Sequence, residues 1–278
     1  MNRNGDKFHR ATTVVAAFVF ACAFGAATAA VALPDPGHNV TPSAALDSAH
    51  NVGPSTTRES AQHDAAPDRS VDPPLDRFES DIQAFEAQDR LNPPTPGGTL
   101  FIGSSTFALA RQKIEARFKD FHAIDRAFGG STIPEINHYF DRVVAPYKPV
   151  EICFYAGTND IADGHSGRRV YEDFVEFVQK VQTRLPQADI YFVSMSVAPS
   201  RLHLAHEYDV GNALVRGFAA GNPHVHYIDV TSVMHDKHGQ LHSEWFRKDR
   251  LHMTERGYAA WIPILRQSLR EGHHFDKN

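Results

Sequence analysis

Hydrophobic positions along this chain follow two rhythms that take turns. Short apolar runs of strand length occur at 99–103, 123–128, 151–156, 190–195 and 226–230, and none shows the strict in-and-out alternation of a strand with one wet face. Between them the spacing changes to the 3.6-residue period of a helix. The clearest case is 168–185, where Val170, Phe174, Phe177, Val178, Val181 and Leu185 form one stripe. Another helix is predicted after Thr254, with Tyr258, Trp261, Ile262, Leu265 and Leu269 on one face and Pro263 as a kink. A third starts at Thr132, where Glu135 stands as in a capping box. A short one over 77–87 is broken by the Pro- and Gly-rich stretch 92–98. Strands buried on both faces and separated by helices predict a three-layer α/β/α sandwich around a central, mostly parallel five-stranded sheet. In such a sheet, functional residues gather at the carboxyl ends of the strands.

The beginning of the chain reads differently. Arg3, Lys7 and Arg10 precede an uncharged run from 11 to 33 that ends in small residues. A basic segment followed by an apolar run is the pattern of an export signal, with cleavage after Ala29 or Ala32. The same run is long enough to span a bilayer and stay as an anchor. Residues 1–32 are therefore read as a signal peptide or an N-terminal anchor. The protein is expected to be exported, either released to the periplasm or the medium or tethered to a membrane. Residues 33–74, rich in Pro, Ser, Ala, Asp, Thr and His with few large apolar side chains, are expected to be a disordered linker. The globular domain is expected over 75–272.

Composition narrows the possible partners. Hydrophobic residues make up 42% of the chain and charged residues 22%, enough for one buried core. The formal charge is -5, with no dense Lys/Arg block beyond the first ten residues, so there is no electrostatic footprint for nucleic acid. Cys22 lies in the leader, which leaves Cys153 without a disulfide partner in the mature domain and suits it to the core. The 17 histidines include His235, His238 and His242 in one loop, and His203 and His206 three apart. Without a fixed third carboxylate or thiolate, such pairs make weak metal sites, and neither a metal nor a cofactor is expected.

Four segments at strand ends carry chemistry. The first strand ends in Phe101-Ile102-Gly103-Ser104-Ser105, where Gly103 permits a tight turn and a hydroxyl follows at the positive end of a helix. On its own, a serine there is a nucleophile or an N-cap. The second strand leads to Gly129-Gly130-Ser131-Thr132, where backbone N–H groups can approach a ligand. The third leads to Gly157-Thr158-Asn159-Asp160, an Asx turn or, through the Asn159 amide, a donor to an oxyanion. Late in the chain, Asp249-Arg250-Leu251-His252 can fold a carboxylate against Nδ1 of the imidazole and leave Nε2 to take a proton.

Taken in order, these four segments resemble the conserved blocks of the SGNH hydrolases, also called the GDSL-like lipase/esterase family, over about 98–269. The resemblance implies a flavodoxin-like fold and a serine esterase, with Ser105 as nucleophile, His252 as base and Asp249 as its orienting acid. It also implies oxyanion donors at the Ser105 N–H, the Gly130 N–H and the Asn159 side chain. One departure is Ser104, where the family's name motif has Asp; the acid comes from the last block, so the triad stays complete. The expected substrate is a carboxylic ester of a small molecule, glycan or lipid, cleaved through an acyl-enzyme. An acyltransferase, a carbohydrate O-acetyl esterase or a non-catalytic binding domain are the alternatives. Ala198-Pro199-Ser200-Arg201 and Trp245-Phe246 are candidates to line the cleft.

Overall fold

A computed structural model describes residues 73–272. The expected leader, and all but the last two residues of the expected linker, lie outside that range. Five strands, β1 (Thr99–Gly103), β2 (Ile124–Asp125), β3 (Glu151–Tyr155), β4 (Asp189–Val193) and β5 (Val225–Ile228), form one sheet in the order β2-β1-β3-β4-β5. Every pairing is parallel, so the sheet expected to be mostly parallel is wholly so. β2 is shorter than the apolar run at 123–128. Beyond Asp125 the N–H groups of Arg126 and Phe128 still donate to Phe101 and Gly103, but among the described residues no further strand answers at this edge from the other side.

Helices cover both faces. α1 (Glu79–Leu91) precedes the sheet; α2 (Ser105–Ala108) and α3 (Arg111–Arg117) follow β1; α4 (Ile133–His138) and α5 (Phe140–Val143) follow β2. After β3 come α6 (Thr158–Ala162) and α7 (Gly167–Arg184), then α8 (Ala205–Ala220) after β4 and α9 (Glu255–Gly272) at the end. α7 confirms the stripe read from the sequence, with Val170, Phe174, Phe177 and Val181 fully buried. Each such side chain contributes roughly 1.5–3 kcal/mol relative to exposure. α9 runs unbroken through Pro263, which removes one donor but leaves the helix continuous. Thr132 caps α4 as expected, its N–H donating to Glu135 Oε2 at 2.9 Å. Among the described residues no helix is long and apolar enough to cross a membrane.

The side-chain period of two divides each strand between two cores. Leu100 and Ile102 of β1, Ile152 and Phe154 of β3, and Ile190 and Phe192 of β4 pack with α1, α4, α5, α7 and α8. Phe101, Cys153, Tyr155, Tyr191 and Val193 point the other way, toward α2, α3 and α9. Cys153 is a buried core residue, as its setting suggested. This strand order reverses direction between β1 and β3, and a crevice opens there beyond the carboxyl ends of the two strands.

At that point the chains are so close that a Cβ on Gly103 would stand 2.0 Å from the Tyr155 carbonyl oxygen, and Gly103 also has φ +150°. Gly103→Ala is expected to lower the free energy of unfolding by about 3 kcal/mol, from combined strain and overpacking; urea unfolding followed by circular dichroism checks this.

Candidate active site

The turn after β1 presents Ser105. Ser104 N–H donates to Tyr155 O at 3.1 Å, which folds the chain over the end of β3. Ser104 is buried, whereas Ser105 is half-buried and opens α2. As a first-turn residue, Ser105 carries an N–H that the helix cannot satisfy internally. Of the two adjacent serines, the structure therefore brings the hydroxyl of Ser105 to the crevice.

The imidazole arrives from a loop that the sequence folds locally. Asp249 Oδ1 accepts N–H bonds from Leu251 (2.9 Å) and His252 (3.0 Å), and Arg250 takes a left-handed conformation, φ 58°, to close the turn. Asp249 Oδ2 is then 2.8 Å from His252 Nδ1, and His252 Nε2 is 3.2 Å from Ser105 Oγ. The hydrogen bond to His252, followed by the two backbone N–H groups, holds the Asp249 carboxyl well below the usual carboxylate range. It stays charged at any pH where the imidazole could act as a base. Ser105, His252 and Asp249, far apart in sequence, are one hydrogen-bonded chain.

The N–H groups expected to serve an oxyanion lie on the three loops that follow β1, β2 and β3. Gly130 has φ +88°, a left-handed turn open to glycine. The neighbouring Gly129 lies so near that a Cβ there would be 3.8 Å from Ser105 Cβ. Among the described residues, nothing accepts the N–H of Ser105 or Gly130. Arg77, just before α1, steadies this loop: it donates to Gly130 O at 3.0 Å and pairs with the fully buried Glu135. Asn159 Nδ2 donates to Ser131 O at 3.0 Å, which links the third loop to the second and leaves its other N–H for a ligand.

The hydroxyl lies between two spaces of unequal size. On one side, a cavity of about 30 Å³ is lined by Thr106, Tyr155, Thr158, Phe246, Leu251 and Trp261, among others, with room for one or two water-sized groups. On the other side, an open groove of about 400 Å³ runs past Asp81, Ala84, Phe85 and Gln88 of α1 to Leu109, Arg111 and Gly129. Of the residues expected to line the cleft, Ala198, Arg201 and Phe246 do so. Pro199 is buried outside the lining, Ser200 faces solvent, and Trp245 instead stacks on His242 at 4.1 Å. The contributions of Arg77, Tyr155, Tyr208 and Trp261 were not foreseen, because their own segments read as ordinary helix or core.

Among the described residues, the loop histidines noted in the sequence are not gathered into a group of three possible ligands. His235 Nδ1 bonds Thr231 O, and His242 Nδ1 bonds Glu244. A different group, Asp160, His165 and Asp173, brings possible ligand atoms within 4.8 Å of one another. Asp160 Oδ1 accepts the Ile133 N–H at 2.8 Å while its buried Oδ2 has no hydrogen-bond partner among the described residues, and both oxygens of Asp173 take Arg169 Nε at 2.9 Å. The Asp160 contact ties α6 to α4, and Asn137 Nδ2 of α4 donates to Asp173 O of α7 at 3.0 Å. Burial pushes the Asp160 carboxyl up to about 7.

Residues 102–260 match the model of the GDSL-like lipase/acylhydrolase family. The human platelet-activating factor acetylhydrolase IB subunit alpha1 is 28% identical over 177 residues, which cover 61% of this chain and 74% of that protein. Two solved structures share the fold. A putative acylhydrolase from Bacteroides fragilis superposes with a TM-score of 0.59 at 22% identity, covering 71% of this chain and 96% of that one. A putative platelet activating factor from Streptococcus pneumonia gives 0.62 at 20% identity, covering 70% and 94%.

The raised Asp160 carboxyl yields a stability test. The unfolded carboxyl titrates near 4 and the folded one near 7. Between these values the folded state binds more protons, so stability falls as pH rises through the window. Asp160→Asn, which keeps an acceptor for Ile133 N–H, removes that fall. Thermal unfolding at pH 4.5 and pH 8 is expected to show the variant gaining at least about 1 kcal/mol on wild type between the two; parallel curves would refute it.

Proposed function

The chain belongs to the GDSL-like lipase/acylhydrolase family and is an ester hydrolase, and from that premise we propose that Ser105 is its nucleophile, His252 its general base and acid, and Asp249 the group that orients His252. The observation that carries this reading is the unbroken relay from Asp249 through His252 to Ser105, at 2.8 and 3.2 Å. Both are hydrogen-bond distances; the second lets the Ser105 proton pass to His252 Nε2 while Asp249 stays ionised.

In this mechanism Ser105 Oγ attacks the ester carbonyl carbon while its proton passes to His252 Nε2. The carbonyl π electrons move onto oxygen, and the oxyanion takes hydrogen bonds from the N–H of Ser105, the N–H of Gly130 and Asn159 Nδ2. The ionised Asp249 stabilises the imidazolium. Collapse breaks the bond to the alkoxy oxygen, which takes the proton from His252 and leaves as the alcohol. Water then attacks the acyl group on Ser105 and gives its proton to His252. The second collapse returns that proton to Ser105 Oγ and releases the carboxylic acid.

The unequal spaces beside Ser105 support an assignment of the two halves of the ester. The acyl group fits the cavity of about 30 Å³, which has room for an acetyl methyl and little more. The alcohol half fits the open groove. This makes the substrate an acetyl ester of a larger alcohol, and a relative carries the name acetylhydrolase.

Two outcomes follow. Ser105→Ala is expected to abolish labelling by a fluorophosphonate probe and to lower kcat/KM on 4-nitrophenyl acetate by at least about a thousandfold. A labelled Ser105→Ala protein would point to a different nucleophile. Across a series of 4-nitrophenyl esters, kcat/KM is expected to fall about tenfold or more once the acyl chain outgrows the cavity; an octanoyl ester cleaved as fast as the acetyl ester would sink the acetyl assignment.

A further inference from the structure

Asn159 can serve an oxyanion in only one of its two amide orientations. A half-turn about its last torsion exchanges Nδ2 and Oδ1 and would aim a carbonyl oxygen, in place of an N–H, at the developing negative charge. Something must therefore decide which way the amide faces. One end is set by Ser131 O, which accepts from Nδ2 at 3.0 Å. The other is set by Arg201, whose Nη2 donates to Asn159 Oδ1 at 3.1 Å while Nη1 donates to Thr158 O at 2.9 Å. A flipped amide would oppose donor to donor at Arg201 and acceptor to acceptor at Ser131, so both contacts resist it.

We propose that Arg201 is a positioning residue that locks the Asn159 side chain as an oxyanion donor, an inference that rests on the Ser105 mechanism above. The guanidinium also draws electron density toward Oδ1, which makes the Nδ2 hydrogens better donors. Its fork matters, because it spans two acceptors on successive residues, which a lysine ammonium on a flexible stem does not reproduce. The 3-10 segment that carries it (Pro199–Leu204) is fastened to the base loop, since Ser200 N–H donates to Arg250 O at 3.0 Å. Tyr208 adds a hydroxyl to Thr158 O at 3.3 Å. Arg201 thereby joins the loop after β3 to the loop that bears His252.

A double-mutant cycle on the full chain tests this with 4-nitrophenyl acetate. Asn159→Ala is expected to lower kcat about a hundredfold to a thousandfold. Arg201→Ala is expected to lower kcat about tenfold to a hundredfold, with KM changed less than about threefold, because the lost interaction exists only in the transition state. In the double variant the Arg201 change is expected to cost nothing further, since no amide remains to be aimed. Arg201→Lys should recover only part of the rate, and thermal unfolding reports whether each variant is folded. If Arg201→Ala does not fold, the cycle is run with Arg201→Lys. Losses that multiply in the double variant, or an effect confined to KM, would overturn the positioning role and leave the triad intact. Unchanged kcat in Asn159→Ala would instead remove the oxyanion reading on which the inference stands.

Discussion

At their carboxyl ends β1 and β3 approach so closely that Gly103 has no room for a side chain against the Tyr155 carbonyl. That approach sets the geometry of everything above the sheet. Because Ser104 N–H bonds Tyr155 O, the chain must leave β1 across β3. This places the first turn of α2, with Ser105, beside the loop that carries Asn159. The parallel order β2-β1-β3 then brings the Gly129–Gly130 turn to the other flank of the same hydroxyl. A sheet with a strand between β1 and β3 would separate these groups by a further strand spacing of about 4.8 Å. No side-chain rotamer would restore the site.

The proposed oxyanion donors come from three loops, and the second and third are held by contacts outside themselves. Arg77 holds the carbonyl of Gly130 and compensates the buried Glu135; Asn159 bonds across to Ser131; and Asp160, the next residue, bonds the first N–H of α4. On the proposed mechanism, loops tied at several points would lose little further entropy when substrate arrives, and dipoles already aimed would not need to reorganise as charge develops. Buried charge is the cost of this arrangement. A carboxyl at position 160, pushed up to about 7 by burial, and an ion pair at Glu135 are poor sources of stability, and they make physical sense as fixtures that keep the loops registered.

Sequence patterning revealed the layers and the candidate site residues for a reason particular to each. β1 was legible to the residue because a glycine ends its apolar run; α7 was legible because its stripe faces one core. Ser105, Gly130, Asn159, Asp249 and His252 stood out because glycines and an Asx turn mark the strand ends, and because family blocks surround them. Arg77 did not stand out, and Arg201 stood out only as a candidate to line the cleft, not as a partner of Asn159. An arginine acts here through where its guanidinium lands, 53 residues away for Arg77 on Gly130 and 42 for Arg201 on Asn159, and no local period encodes such a contact. The end of α1 was misjudged on the same ground. Glu86 and Asp89 look like solvent-facing polar residues, but Arg142 takes the first, and Arg126 with Tyr147 takes the second, so tertiary pairs carry the helix on to Leu91.

The two sides of Ser105 are built from different materials, and this separates what can vary from what cannot. The small cavity is walled by Tyr155 from the sheet, Trp261 from α9 and Leu251 from the base loop itself. Enlarging it would disturb either a core or the placement of the imidazole, since the walls also support the chemistry. The groove opposite is walled largely by one face of α1, through Asp81, Ala84, Phe85 and Gln88, positions at helical spacing that lie before the segment matched by the family. Three of the four, all but Phe85, are exposed, so their side chains can change with little effect on packing. On the proposed assignment of the two spaces, selectivity for the acyl half would be tied to the stability of the fold, while selectivity for the alcohol half would be free to drift on a helix outside the matched segment.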